Sequence, residues 1–224
     1  LGDPEAHSRS TAIHNAAFEA LGIEAVYLAA RVEAAQIGEA VAGLRALGAL
    51  GANVTIPHKQ AIIPYLDALT PVAEAIGAVN TVVPQPDGTL LGTNTDAAGF
   101  FEPLRAHAET LDGTEASVFG AGGAARADDL TRQASLLVYA TPLGRHDVLD
   151  AASPLPSADF QPGQIAYDLV YAPAETRFLR EAAARGATPL GGLAMLVGQA
   201  AEAFRLWTGQ PMPKEVAWAV VQNP

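Results

Sequence analysis

The chain contains no cysteine. Disulfides, thiolate zinc sites and a cysteine nucleophile are therefore excluded. Half of its 224 residues are hydrophobic, yet no apolar run approaches the ~20 residues that span a bilayer. Positive charge is scarce: 13 Lys and Arg stand against 24 Asp and Glu, a formal net charge of −11. A chain this acidic is a poor partner for nucleic acid or an anionic membrane. The five histidines are scattered, with His7 and His14 seven apart and no HExxH, so no metal site is expected. No signal peptide is visible, although a chain that opens at Leu1 rather than Met carries little information on that point. Glycine and proline are frequent but dispersed, as in a turn-rich α/β protein.

What is present centres on Ala52-Asn53-Val54-Thr55-Ile56-Pro57-His58-Lys59. The aliphatic and β-branched residues Val54, Thr55 and Ile56 predict a short buried strand. Pro57 stops the ladder and is preset for a first helical turn. Ala61, Ile62, Tyr65, Leu66 and Leu69 recur at helical spacing, which puts Lys59 in the first turn. A helix dipole disfavours a cation there, so this lysine either faces water or has a task. Its neighbours Asn53 and Thr55 at the same strand-to-helix edge favour a task.

Upstream, Ser10 is expected to cap a helix that turns Ile13, Ala16, Ala17, Ala20 and Leu21 inward, closed by Gly22. Residues Ala25 to Ala29 predict a strand, and Ile37, Val41, Leu44 and Leu47 a second helix. Downstream, Thr70-Pro71 starts a short helix. Residues Ala78 to Val83 predict a strand, and Asp87-Gly88 a tight turn into Leu90 to Thr93. The polar run Asn94-Thr95-Asp96 lies where that strand gives way to a helix. Strands alternating with helices indicate a mainly parallel α/β sheet with antiparallel character at this hairpin.

A second unit begins near Gly113. The predicted strand Ser117-Val118-Phe119 runs into Gly120-Ala121-Gly122-Gly123-Ala124-Ala125, which fits G-x-G-x-x-A. In that pattern the glycines allow a tight turn and let a pyrophosphate approach backbone amides at a helix start. An ordinary small-residue βα turn satisfies the same residues. The next strand, Leu136 to Ala140, follows too soon for helix, strand and crossover, because a βαβ unit takes about 30 residues. No charged residue stands where the ribose would be read. The unit is short by a stretch near Ala127, whether by true deletion or because residues of the natural chain are lacking. Further on, Ile165 to Tyr171 predicts a strand with a polar end, Glu175 to Arg185 a helix, Leu193 to Trp207 a long small-residue helix and Lys214 to Val221 a last one.

Seven pieces together resemble the shikimate/quinate dehydrogenase family, in that family's order and over nearly the whole chain. They are His7-Ser8-Arg9-Ser10 with Ile13-His14-Asn15, Asn53 to Lys59, Gly77-Ala78-Val79-Asn80-Thr81, Asn94-Thr95-Asp96, Gly120 to Ala124, Tyr167 to Tyr171, and Met195 to Ala200. The resemblance implies NADP-dependent, reversible reduction of 3-dehydroshikimate to shikimate in aromatic amino-acid biosynthesis. It implies a cytoplasmic enzyme, monomer or homodimer, with two α/β domains flanking a cleft: a substrate domain over 1–97 plus 192–224 and a Rossmann-like NADP domain over 98–191. Lys59 then corresponds to the general acid/base and Asp96 to its partner and a ligand of a substrate hydroxyl. Ser8 and Ser10 correspond to ligands of the substrate carboxylate. Thr55, Asn80, Tyr171 and Gln199 match the remaining substrate contacts. Gly120, Ala121, Gly122, Gly123 and Ala124 match the pyrophosphate loop, and Leu169 and Gly192 positions lining the nicotinamide.

Each residue also has a plainer role: Asp96 as a helix cap, Ser8 and Ser10 likewise, Asn80 and Gln199 as satisfied buried amides, Tyr171 as packing. Three departures stand out. Thr11 replaces a usual Pro, Ala194 replaces a usual Gly, and the family's Asn-Arg-Thr segment that grips the 2′-phosphate has no counterpart. Two alternatives remain beside the main expectation: an NAD-dependent quinate/shikimate dehydrogenase, and a non-catalytic shikimate-binding regulatory module.

Overall fold

The computed structural model describes residues 1–3, 9–120, 129–141, 153, 155 and 157–222. In chain order its helices and strands are α1 (Ser10–Leu21), α2 (Ile37–Ala46), β1 (Ala52–Asn53), α3 (His58–Ala61), β2 (Ala68–Leu69), α4 (Pro71–Ile76), β3 (Thr81–Pro84), β4 (Leu90–Thr93), α5 (Thr95–Leu104), α6 (Ala108–Leu111), β5 (Ala116–Phe119), α7 (Asp129–Gln133), β6 (Leu136–Tyr139), β7 (Ile165–Asp168), α8 (Arg177–Ala184), β8 (Thr188–Leu190), α9 (Gly192–Thr208) and α10 (Lys214–Gln222). The chain divides into two compact units, Leu1–Gly99 with Val197–Pro224, and Phe100–Leu196.

The first unit holds a mixed sheet in the order β1-β3-β4-β2. Strands β3 and β4 form the expected antiparallel hairpin, β1 adds antiparallel to β3, and β2 lies parallel to β4. Its core gathers Val32, Ile37, Val41, Val54, Ile62, Ala73, Val79, Val82 and Leu90. Residues Ile37 and Val41 are one helical turn apart, so α2 presents both to this sheet. Thr70 caps α4 by accepting from Ala73 N, and Gly77 closes it at φ 70°.

Helices α1, α9 and α10 form the other half of the core, with Ile13, Ala17, Phe18, Ala203, Phe204 and Ala217 buried. His14 is fully buried there, stacked on Tyr27 at 4.7 Å and 5.1 Å from Trp207. The indole of Trp207 donates to Val82 O at 3.0 Å. It fits because residue 51 is glycine, where any Cβ would overlap the indole nitrogen.

Three local expectations are corrected. Ser10 does not cap α1: it is the first helical residue, the cap position is Arg9, and no side chain bonds the cap. Arg9 is held instead by donating Nη1 to Val221 O at 2.6 Å. Residues Ala25 to Ala29 form no strand, and Val26 and Leu28 are exposed. There the side chain of Asn15 takes both backbone groups of Tyr27, accepting from its N at 2.7 Å and donating to its O at 3.0 Å. An amide side chain thus supplies what a neighbouring strand otherwise would. The central strand lies two residues earlier than expected, at Ala52–Asn53. Val54 still bonds to Asn80 O and Thr55 to Leu1 O, but Ile56 and Pro57 form a turn.

The second unit is a parallel sheet in the order β5-β6-β7-β8. Strands β6 and β7 are buried at every position, as strands covered on both faces must be. One face carries Phe119, Leu137, Tyr139 and Ala166 against Phe178, Leu179 and Ala182 of α8. The other carries Leu136, Val138, Ile165 and Tyr167 against Phe100, Leu104 and Leu111. Thr176 caps α8 by accepting from Leu179 N.

Candidate active site

In the first unit, α3 is anchored through its first two residues. His58 is fully buried, and its Nε2 lies 2.7 Å from Val32 O. A carbonyl only accepts, so Nε2 carries the proton. Val79 N donates to Lys59 O at 2.8 Å, which ties the lysine backbone to the segment entering β3. Lys59 is in the first turn of α3 as expected, but the helix stops at Ala61: Ile63–Tyr65 form a 3-10 turn and Ala68–Leu69 pair as β2, so the spacing of Ala61, Ile62, Tyr65, Leu66 and Leu69 does not mark one helix. Lys59 Nζ donates to Asp96 Oδ2 at 2.7 Å, and the two side chains are 32% and 28% exposed. The pair is therefore neither sealed nor fully solvated, and a ligand can reach it.

Asp96 occupies the first turn of α5, where the helix dipole favours a carboxylate. Two asparagines set that turn. Asn94 Oδ1 accepts from Asp96 N at 3.1 Å while its Nδ2 donates to Ala78 O at 3.0 Å. Asn80 Oδ1 accepts from Thr95 N at 2.7 Å and its Nδ2 donates to Thr95 Oγ1 at 3.1 Å. The network continues outward: Asn53 Nδ2 donates to Thr81 Oγ1 at 3.1 Å, and Tyr27 OH donates to Asn53 Oδ1 at 2.9 Å. Buried amides satisfied this fully behave as fixed fittings. Asn80 is only 3% exposed, and its bond to Thr95 Oγ1 uses one of its two Nδ2 protons.

Asn94 and Asn53 received no role from the sequence, although an Asn two residues before an acidic helix start is a capping signal. Asn94→Ala is expected to cost about 1 kcal/mol of stability, the usual value of a cap. It should also lower kcat several-fold more than it changes the substrate KM, with Asn94→Asp restoring only part of the loss, because it keeps the acceptor for Asp96 N but has no donor for Ala78 O. A thermal melt alongside steady-state kinetics on the three proteins checks this.

The remaining candidates of this unit are more open. Thr55 is exposed, Ser10 and Gln199 are partly buried, and Gln199 lies within α9. Ser8 lies outside the described residues, as do Ala121, Gly122, Gly123 and Ala124 of the glycine-rich loop.

In the second unit, three candidates meet at the carboxyl ends of the strands. Leu169 N donates to Tyr139 O at 3.0 Å, and Gly192 N to Val170 O at 3.3 Å. A Cβ on Gly192 would overlap Leu169 O, so only glycine permits this approach. Tyr171 follows, partly buried. The turn is pinned by Asp168, which is fully buried and accepts from Val170 N at 2.9 Å and Thr176 Oγ1 at 2.5 Å. Burial pushes its carboxyl up, while these two bonds oppose the shift. Asp168 and Thr176 also escaped the sequence patterns, because only folding brings residue 176 back to residue 168. Gly120 follows β5 at φ 120°, and a Cβ there would meet Thr141 Cγ2 at 2.5 Å and Ala140 O at 2.8 Å. Gly120 is exposed at the end of β5, on the side of the sheet where open α/β sheets bind nucleotides.

Two family models match the chain. Residues 1–82 match the shikimate dehydrogenase substrate binding domain, and residues 192–222 the shikimate 5'-dehydrogenase C-terminal domain. The shikimate dehydrogenase (NADP(+)) of Salinibacter ruber is 44% identical over 268 residues, covering 97% of this chain and 94% of that protein. The chain belongs to the shikimate dehydrogenase family. The corresponding protein of Moorella thermoacetica is 43% identical over 100% of this chain and 91% of its own length. A crystal structure of shikimate 5-dehydrogenase from Thermus thermophilus in complex with NADP(H) and shikimate superposes with a TM-score of 0.87 at 39% identity, covering 99% of this chain and 97% of that one. The enzyme from Listeria monocytogenes, crystallised with shikimate and NAD, gives 0.89 at 32% identity, covering 98% and 94%. The Salinibacter alignment of 268 positions exceeds the 224 residues of this chain, so that relative has many positions with no counterpart in it.

Proposed function

We infer that the protein catalyses the NADP-dependent, reversible reduction of 3-dehydroshikimate to shikimate in aromatic amino-acid biosynthesis, with Lys59 and Asp96 as its acid/base pair. The observation that carries the assignment of roles is the 2.7 Å bond between Lys59 Nζ and Asp96 Oδ2 at an accessible position. When bound, NADPH supplies the hydride to the ketone carbon. The oxygen then needs one proton, and the Lys59 ammonium gives it. Being part-exposed, Lys59 regains its proton from water. Asp96 aims the ammonium and takes a hydrogen bond from a ring hydroxyl of the substrate.

We assign substrate binding to the unit that contains these two residues, with Ser8, Ser10, Thr55, Asn80 and Gln199 as further contacts, and carry Tyr171 over as a substrate contact from the family resemblance. Hydroxyl and amide groups recognise a polyhydroxylated ring by bonds, without a basic cluster. The glycine-rich loop Gly120 to Ala124 would hold the pyrophosphate, and Leu169 and Gly192 the nicotinamide. No described helix is long and apolar enough to cross a membrane. We place the protein in the cytoplasm, where NADPH and biosynthetic intermediates are available.

The test is continuous NADPH oxidation with 3-dehydroshikimate and, in reverse, NADP+ reduction with shikimate. Turnover in both directions is expected. Its absence at saturating cofactor, with shikimate still bound, would leave a binding protein in place of an enzyme.

A further inference from the structure

The amide of Asn80 can face only one way, because one of its partners is a backbone N–H. Thr95 N donates to Asn80 Oδ1 at 2.7 Å. A main-chain N–H cannot accept, so the amide oxygen lies on that side and Nδ2 on the other. Thr81 Oγ1 donates to the same Oδ1 at 2.9 Å. On the nitrogen side, Nδ2 donates to Thr95 Oγ1 at 3.1 Å. An amide nitrogen carries two protons, and among the described residues no second acceptor bonds this one. Asn80 is thus an oriented donor with one proton left to give.

Thr81 is well built to hold that orientation. It opens β3, where it is paired with Asn53 of β1 on one side and Thr93 of β4 on the other. Branching at Cβ restricts its side chain to few rotamers. Its hydroxyl accepts from Asn53 Nδ2 at 3.1 Å and lies 3.0 Å from Thr95 Oγ1. Receiving a proton from Asn53 leaves its own proton for Asn80 Oδ1, the shorter of its two remaining contacts. Asn53 is fixed in turn by Tyr27 OH, which donates to its Oδ1 at 2.9 Å. Thr81 has no exposed surface, so it cannot touch a ligand and can act on one only through another side chain.

We propose that Thr81 is a positioning residue for substrate binding: its buried hydroxyl locks the Asn80 amide, so that the remaining Nδ2 proton is offered to an acceptor oxygen of the substrate. The proposal rests on the reading of Asn80 as a substrate contact. Lys59 serves the oxygen that reacts, so the oxygen met by Asn80 is one that hydride transfer leaves unchanged. Such a bond is as strong in the bound substrate as in the transition state. Its loss weakens binding without slowing the chemistry.

Thr81→Val keeps the branched shape and removes the hydroxyl. Calorimetry of shikimate binding to the whole chain should show a dissociation constant raised about threefold to tenfold, the worth of one hydrogen bond. The kcat should stay within about threefold of the parent, and Thr81→Ser, which restores the hydroxyl, should bring the dissociation constant back to within about twofold. A double-mutant cycle with Asn80→Ala tests the route: once the amide is gone, adding Thr81→Val should raise the dissociation constant no further. A merely structural threonine would lower the urea midpoint of the valine variant and leave shikimate binding by the folded protein at the parent value, which overturns the proposal. An additive second loss in the double variant also overturns it. Thr81→Ala carries the same expectations should the valine variant fail to fold. Equal binding by the parent and Asn80→Ala removes Asn80 as a substrate contact, and the proposal falls with that reading. Weaker binding by Asn80→Ala beside unaltered binding by Thr81→Val overturns the proposal alone.

Discussion

Lys59→Met is expected to lower kcat by roughly 10³-fold, within the usual range for removing a positioned general acid. The substrate KM should change by less than about tenfold, since the proton is needed in the transition state more than in the ground-state complex. Methionine keeps the length and apolar stem of the lysine, so α3 should still fold. His58 still holds Val32 O, and Val79 N still bonds the carbonyl of residue 59. What disappears is the ammonium 2.7 Å from Asp96 Oδ2. The loss should persist at every pH, because no other group among the described residues bonds Asp96 Oδ2 in its place. Asp96→Asn separates two duties: it leaves the lysine in place but weakens its orientation, and a smaller fall in kcat with a larger rise in KM is expected. A Lys59→Met enzyme within tenfold of the parent kcat would remove Lys59 from proton transfer. Steady-state kinetics in both directions, with both cofactors, decide it.

The second large effect concerns acid stability and arises from His14. Its ring is fully buried among Tyr27, Phe204 and Trp207, and neither nitrogen has a hydrogen-bond partner. Desolvation lowers its pKa from 6.5 to about 3, because the cation has nothing to replace water. The folded chain therefore keeps His14 neutral where the unfolded chain takes up a proton. Stability associated with this residue is intact above pH 6.5 and is lost as pH falls from there towards 3. The loss amounts to roughly 1 kcal/mol per pH unit, or on the order of 2–3 kcal/mol between pH 7 and pH 4.5.

Both tryptophans, Trp207 and Trp218, lie in the same unit as His14, so their fluorescence follows its unfolding. Urea midpoints at pH 7 and 4.5 should diverge in the parent protein and far less in His14→Phe, which keeps an aromatic ring in the stack. Carboxylates of this unit such as Asp67, held below the ordinary range by Arg45 and Leu90 N, weaken both proteins alike on acidification. The difference between the two proteins isolates the histidine. Equal pH dependence in both would show that His14 is not the group that binds the proton on unfolding.

Much of this could be read along the chain because it depends on neighbours. The hairpin at Asp87-Gly88, the Thr70 cap, the long helix Gly192–Thr208 and the place of Lys59 in a first helical turn follow from local turn chemistry and helical spacing. The family emerged in the same way, from seven short motifs in order. Errors arose where distant groups compete with local preference. Residues Ala25 to Ala29 look like a strand, but Asn15 takes up the backbone of Tyr27. Ser10 looks like a cap, but Arg9 precedes it and is anchored 212 residues away at Val221.

The sequence by itself determined the chemistry on offer: no thiol, a short glycine-rich turn, a lysine at a strand-to-helix edge and an aspartate after Asn-Thr. It also exposed the shortfall after Gly120, since a residue count needs no coordinates. Only the tertiary structure decided which groups meet. The bond between Lys59 and Asp96 spans 37 positions, and the amide network that aims it draws on Asn53, Asn80 and Asn94 from three separate segments. The exposure of Val118 beside buried Val138 appears only once β5 is seen at the end of its sheet. Hydrogen bonds and burial depend on distance in space, and a chain that returns on itself sets those distances through packing that no local pattern records.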